Sequence, residues 1–446
     1  MNMDGQQVSF GEAVRTWAKI GLLGFGGPAG QIALMHRILV DEKKWIGEAR
    51  FLHALNFCML LPGPEAQQLA TYIGWMLHRT PGALAAGLLF ILPGFCVILA
   101  LSILYSLFQQ TAWLEALFFG LKAAVLAIVV EALLKVGRRA LKTPLMRLIA
   151  AAAFLSLFLL NLPFPLVIAL AGITGYWVAK VNPALLAPAA SPGGLQAAEP
   201  VDRLAPVAPS WRRSLRIVAV WGAVWASLPL LLIALFSWDS VYLPIAAFFS
   251  KMAVVTFGGA YAVLAYVAQE AVETYAWLRP GEMVDGLALA ETTPGPLILV
   301  LSFVGFIAGF RDAAGLDPLV GGVLGAVLAT WVTFAPCFLW ILLGAPWVEK
   351  LLGNKALSLA LSAITAAVVG VILNLALWFG LHVIFAGVTP HALGPLRIDL
   401  PDPATLDVAA LALGAFALLA LLRLKWKMLS VLAVCALAGA AIRWVT

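Results

Sequence analysis

The sequence predicts an all-α polytopic membrane protein made of two inverted-topology repeats with broken or re-entrant helices. Three observations carry that expectation. The chain is 63% hydrophobic and 11% charged over 446 residues, where a soluble domain is about a quarter charged, and its mean hydropathy is +0.99. Several apolar stretches exceed the about 20 residues that cross a bilayer core. One costly pattern, lysine followed six residues later by Phe-Gly-Gly, is written twice inside apolar sequence, as KIGLLGFGGP and KMAVVTFGGA. The short alternating segments of a β-barrel are absent.

About 13 hydrophobic segments follow in order. Six fall at 14–35, 51–77, 83–108, 113–134, 145–160 and 164–179 and form an N-terminal repeat over residues 1–180. The stretch 181–214 is rich in Pro, Ala and Gly with no helical period and reads as a cytoplasmic linker. A connecting transmembrane helix is expected at 215–239. A C-terminal repeat over 240–446 then holds segments at 240–268, 283–310, 318–344, 356–386, 405–422 and 428–442. The polar opening MNMDGQQVSFGEAVR is unlike a signal peptide, so the first segment is expected to stay in the mature chain.

A shift of 232 places Lys19 on Lys251, Phe25-Gly26-Gly27 on Phe257-Gly258-Gly259, Trp45 on Trp277 and Pro62-Gly63-Pro64 on Pro294-Gly295-Pro296. From residue 19 to 64 no gap is needed, and 11 of the 46 positions are identical. After an 11-residue insertion, Pro93 falls on Pro336 and Ala123-Ala124-Val125 on Ala366-Ala367-Val368. Apolar composition alone does not hold Lys, FGG, Trp and PGP in one register, so the halves are read as a duplication. Six segments plus one connecting helix turn the second copy over, the architecture of many secondary transporters.

Charge sets the orientation. The net charge of +6 sits in short loops between apolar segments, which is the membrane-orientation signal and no sign of nucleic acid. It places the N-terminus in the cytoplasm and the C-terminus outside. Two arrangements stay open. In 13 full crossings, the basic loop 36–50 lies outside, against the rule. If the segments carrying FGG and PGP are re-entrant hairpins, only four Lys/Arg lie outside (Arg279, Arg311, Arg397 and Arg443) and 21 lie inside, leaving apart Lys19, Lys122 and Lys251 within segments.

The candidate site follows from the breaks. Proline lacks the N–H that continues a helix, and broken backbone at membrane depth is tolerated only inside protein or beside water. Phe25, Gly26, Gly27, Pro62, Gly63, Pro64, Phe257, Gly258, Gly259, Pro294, Gly295 and Pro296 are therefore expected to form half-helix ends, whose N–H groups and dipoles attract anions. Packing kinks are the alternative. Lys19 and Lys251, nearly two turns before each break, are expected to supply balancing charge; an ordinary inner-face positive charge is the alternative role of Lys19, and snorkelling that of Lys251. Gln31, Thr292 and Thr293, with Gln67 and Gln68, add donors. Lys122, within the fourth segment, either lines the same cavity or neutralises Glu115 or Glu131. Glu65 and Glu291 flank the two PGP breaks and are candidates to carry a coupling proton; helix capping is their alternative role. Glu131 and Lys135 read as an i,i+4 ion pair.

His36, His53 and His78 fall near segment ends, and Cys58, Cys96, Cys337 and Cys435 are scattered, so no metal site is expected. No Walker loop, nucleophile elbow or zinc-protease motif is present, so no cofactor and no enzymatic activity are expected.

The stretches FGGPAGQIALMHRILVDEKKWI and LPGPEAQQLATYIGW, with FGGAYAVLAYVAQEAVETYAWL and AETTPGPL in the second half, resemble the chromate ion transporter (CHR) family in its long, two-domain form. Ala260 departs from the pattern where the first half has Pro28, and Ala265 stands in a stretch where the family leads one to expect proline. The resemblance implies a bacterial inner-membrane carrier that exports chromate by proton antiport and confers chromate resistance. Sulfate or another tetrahedral oxyanion remains an alternative substrate, and an uncoupled anion channel an alternative mechanism. Membrane lipid is the expected surrounding partner; a homodimer is one candidate assembly.

Overall fold

The computed structural model describes residues 8–186, 210–257, 259–348, 354–394 and 396–445, so most of the expected linker, and Gly258, lie outside the described residues. The protein is an all-α polytopic membrane protein. Its helices are α1 (Phe10–Leu23), α2 (Gly27–His36), α3 (Glu48–Cys58), α4 (Glu65–Phe108), α5 (Ala112–Ala140), α6 (Pro144–Phe158), α7 (Phe164–Val181) and α8 (Trp211–Phe236). The second half adds α9 (Tyr242–Val255), α10 (Ala260–Gln269), α11 (Pro280–Thr292), α12 (Val300–Arg311), α13 (Pro318–Gly344), α14 (Lys355–Ile384), α15 (Val408–Leu422) and α16 (Met428–Val445). Six of the described helices are long and apolar enough to cross a membrane: α4, α5, α7, α8, α13 with the turn that follows it, and α14.

Local sequence explains the short helices at the start. Ser9 accepts from the Glu12 N–H and caps α1, in the Ser-x-x-Glu spacing of a capping box. Ala13, Thr16, Trp17, Ile20 and Gly21 form its buried face, the spacing of one helical stripe. The helix stops before Gly24, and Gly26 (φ +89°) and Gly27 (φ +66°) turn the chain into α2. Fourteen residues rise about 21 Å, short of the roughly 30 Å hydrocarbon core. The first segment is therefore broken at FGG, as expected. The second is broken at PGP, between α3 and α4. Within α4, the backbone leaves helical geometry at His78 and Arg79, where the sequence separates segments 51–77 and 83–108.

The repeat recurs in local geometry. α1 and α9 are both 14 residues long, and their bounds differ by 232 at each end. A π-helical turn follows α2 at Arg37–Glu42 and α10 at Glu270–Thr274. Lys44 (φ +50°) and Ala276 (φ +51°) take the same left-handed conformation at equivalent positions.

One difference from expectation has a physical reason. α8 begins at Trp211, inside the stretch expected as linker. Arg212, Arg213 and Arg216 are good helix formers whose stems can lie along apolar surface with their heads in water. Between α14 and α15, in the stretch left between the expected segments 356–386 and 405–422, β1 (Val388–Leu393) and β2 (Leu396–Pro401) pair antiparallel, Val388 opposite Pro401 and Leu393 opposite Leu396. Gly394 (φ +62°) permits the reversal.

The chain forms two compact units, each drawing on both halves of the sequence. The first takes the described parts of Met1–Ser102, Ala190–Ala260 and Thr293–Lys355. Trp17, Ile20, Met35, Phe51, Phe57 and Phe90 are fully buried in its core. In it α12 lies on α13 so closely that a Cβ on Gly305 would sit 2.5 Å from the Gly325 carbonyl oxygen, the small-residue contact of membrane helices. The second takes Ile103–Ala189, Tyr261–Thr292 and Ala356–Thr446, again in their described parts. There α5 is flanked by α11, α15 and α16.

Candidate functional site: two crossed helix breaks

Both breaks of both repeats lie in the first unit, and they are tied together reciprocally. The Gly63 N–H donates to the Thr256 carbonyl at 2.8 Å, and the Gly295 N–H donates to the Gly24 carbonyl at 2.9 Å. Position 63 corresponds to 295 and position 24 to 256 under the 232-residue shift. Each PGP glycine thus bonds the last turn before the other repeat's FGG. Such an exchange of equivalent contacts is what a two-fold relation produces. Both PGP glycines have positive φ, +121° at Gly63 and +88° at Gly295. A Cβ at Gly63 would meet Gln68 Nε2 at 2.8 Å and Cys337 Sγ at 3.0 Å.

Helix starts gather around this crossing. One cavity of about 10 Å³ is lined by Pro28 and Gln31 of α2, and by Pro64, Glu65 and Ala66 at the start of α4. Gly259 and Ala260 at the start of α10 complete it, with Pro296, Leu297 and Ile298, where a short 3₁₀ turn opens α12. The first N–H groups of a helix have no intrahelical partner. Four helix starts gathered at one place contribute unpaired N–H groups and positive dipole ends to the lining without any lysine. The volume admits about one water.

The amide groups of Gln31 and Gln68 donate to backbone, and that of Gln67 to a hydroxyl. Gln31 Nε2 donates to the carbonyls of Gly24, at 3.1 Å, and Gly295, so it crosslinks the two breaks. Gln68 Nε2 donates to the Pro62 carbonyl at 2.7 Å, and Gln67 Nε2 to Thr71 Oγ1 at 3.0 Å. The Oε1 atoms of all three glutamines are buried without a hydrogen-bond partner. Phe25 and Phe257 are half-buried beside their breaks.

The other candidates sit apart from the cavity lining. Lys19 on α1 and Lys251 on α9 occupy equivalent, exposed positions. Thr292 ends α11 and turns its hydroxyl back to the Leu289 carbonyl at 2.8 Å, while Thr293 is buried just before the second PGP. Glu291, 4% exposed, accepts from Tyr261 Oη at 2.6 Å in the second unit. Lys122 also belongs to the second unit, and its partner is neither Glu115 nor Glu131. Its Nζ lies 3.3 Å from Asp285, and Glu131 is engaged with Lys135 at 2.7 Å. The sequence does not single out Asp285 as a site residue, because it stands near a segment boundary, where an acid reads as a loop residue. A buried tyrosine at Tyr105 was the available hint. Among the described residues, no cluster of His, Cys, Asp and Glu could hold a metal.

Comparison with known proteins gives this geometry a family. The chain is similar to the chromate transport protein of Pseudomonas aeruginosa, 34% identical over 82% of this chain and 80% of that protein. It is also similar to the chromate transport protein of Cupriavidus metallidurans, 30% identical over 81% and 80%. A probable chromate transport protein of Synechococcus elongatus is 28% identical over 91% and 95%. No solved structure matches the chain. The sequence model of the chromate transporter family matches residues 11–176 and 243–440, one stretch in each repeat; the chain therefore belongs to the chromate transporter family.

Proposed function

We propose that the protein is a secondary active transporter that exports chromate across a bacterial inner membrane in exchange for protons and so confers chromate resistance. The observation that carries this reading is the convergence of four helix starts on one small cavity at the crossing of the two repeats. Chromate is a tetrahedral dianion that needs many donors where water is excluded, and helix starts supply them. The relatives named for chromate transport support the choice of substrate. Phe25, Gly26, Gly27, Gln31, Pro62–Pro64, Phe257, Gly259 and Pro294–Pro296 shape the anion site, and Lys19 and Lys251 attract the anion toward it.

Two inverted copies around one site let the cavity open to alternate sides. The N-terminus is cytoplasmic and the C-terminus periplasmic. Expulsion has an electrical drive: two negative charges moving outward across 100 mV, inside negative, release roughly 4.6 kcal/mol.

The position of Glu65 bears on coupling. A carboxylate lining the anion's own cavity favours the dianion when it is protonated, so through Glu65 proton and anion would bind together. Exchange requires proton and anion to favour opposite conformations. The coupling proton is therefore better carried outside the cavity, and Glu65 affects anion affinity through its charge.

Chromate flux in proteoliposomes with an imposed pH gradient tests this function. Flux that saturates with chromate and accelerates when protons move against it supports exchange. Unsaturable currents indifferent to the gradient indicate an uncoupled channel. Stronger inhibition by sulfate than by unlabelled chromate would reassign the substrate.

A further inference from the structure

A second polar centre lies in the second unit. Asp285 of α11 is 4% exposed. Its Oδ2 accepts from Tyr105 Oη at 2.9 Å. Its Oδ1 lies 3.3 Å from Lys122 Nζ, an ion-pair distance without hydrogen-bond alignment. Gly281 stands under the ammonium: a Cβ there would come within 3.1 Å of Nζ.

Other charges around Asp285 are accounted for. On α11, Glu282 accepts from the Arg279 N–H at 2.7 Å. On α5, Glu115 is exposed and Glu131 is held by Lys135. On α16, which also packs against α11, Arg443 is engaged with Asp407 at 3.3 Å. A buried ion pair is weak as a source of stability, since apolar residues of the same volume often do better. Ionisable groups inside membrane segments mark proton and ion paths.

The geometry points to Asp285 as the proton carrier of the transport cycle, with Lys122 as the counter-ion it binds and releases. This rests on the proton-exchange reading above. With Asp285 ionised, Lys122 is held. A proton from water forms an O–H bond at Oδ1, the carboxyl becomes neutral, and the ammonium is released. Loss of that proton to the other side restores the pair, with no oxidant or further reactant.

The test uses full-length protein in proteoliposomes, reading chromate flux and internal pH together, with thermal stability measured in detergent. Asp285→Asn and Lys122→Gln are each expected to destabilise the protein, because each leaves a polar group unpaired. The double variant is expected to regain stability while chromate-driven proton movement and gradient stimulation of flux both fall at least about tenfold. Asp285→Glu, which keeps the carboxyl, is expected to retain coupling. A double variant that regains stability and full coupling overturns the inference and leaves the exchange reading standing. A wild type indifferent to the pH gradient overturns both. If the double variant does not fold, Tyr105→Phe decides: the pH midpoint of flux is expected to move, and an unmoved midpoint overturns the inference.

Discussion

Glycine at 63 meets two demands at once: a φ of +121° and a side chain's worth of space already filled by Gln68 and Cys337. Left-handed or strained backbone costs a non-glycine residue roughly 1–3 kcal/mol. Gly63→Ala is therefore expected to lower stability by roughly 2 kcal/mol. Gly27→Ala has the positive φ but open space, so about 1 kcal/mol is expected. Gly47→Ala, with extended backbone and nothing nearby, should change stability by no more than about 0.5 kcal/mol. Thermal unfolding of the three variants checks the order; an equal loss at all three would refute the assignment. His36, in the connector after the first segment, bonds Glu48 and faces Asp41 at 3.4 Å. The Glu48 hydrogen bond, then the nearby charges, raise its pKa above 6.5 against a smaller opposing effect of burial. A raised histidine stabilises below its unfolded pKa, and that contribution is lost as pH rises through the folded value. His36→Gln is expected to destabilise the protein at about pH 5.5 and to leave it unchanged at about pH 8.5; the reverse pattern would contradict the pairing.

At the scale of elements, the two copies keep the same irregularities. Ala276 and Lys44 both take left-handed backbone just after a π-helical turn, a conformation costing an L-residue about 1–2 kcal/mol. Ala276→Gly is expected to stabilise the protein by roughly 0.5–1 kcal/mol, the relief exceeding glycine's added chain entropy. A lower melting temperature would show that the conformation is unstrained. These turns also mark what was legible in the sequence. FGG and PGP announced their breaks because glycine and proline cannot sustain a helix, and the register of 232 carried the α1–α9 equivalence. A π-helical turn has no residue signature, so it went unread. The β hairpin was hidden by Pro390 and Pro401, which argue against strand. Asp285 was hidden by position, since burial of an acid at a segment boundary depends on what α4 and α5 bring to it.

For the whole molecule, the two copies of one broken-helix unit exchange contacts at their breaks, and the proposed function rests on that exchange. Lys251 lies outside the cavity, so Lys251→Ala is expected to slow chromate flux about tenfold at low ionic strength, and less in about 0.5 M salt, where the charge is screened. A salt-independent loss would place the lysine in the fold instead. The most direct measurement is chromate affinity of wild type and Glu65→Gln by calorimetry from about pH 6 to pH 9. Because Glu65 lines the cavity, removing its charge should tighten binding, on the order of tenfold at the alkaline end. Equal or weaker binding by Glu65→Gln across that range would mean that the oxyanion does not bind where the four helix starts meet.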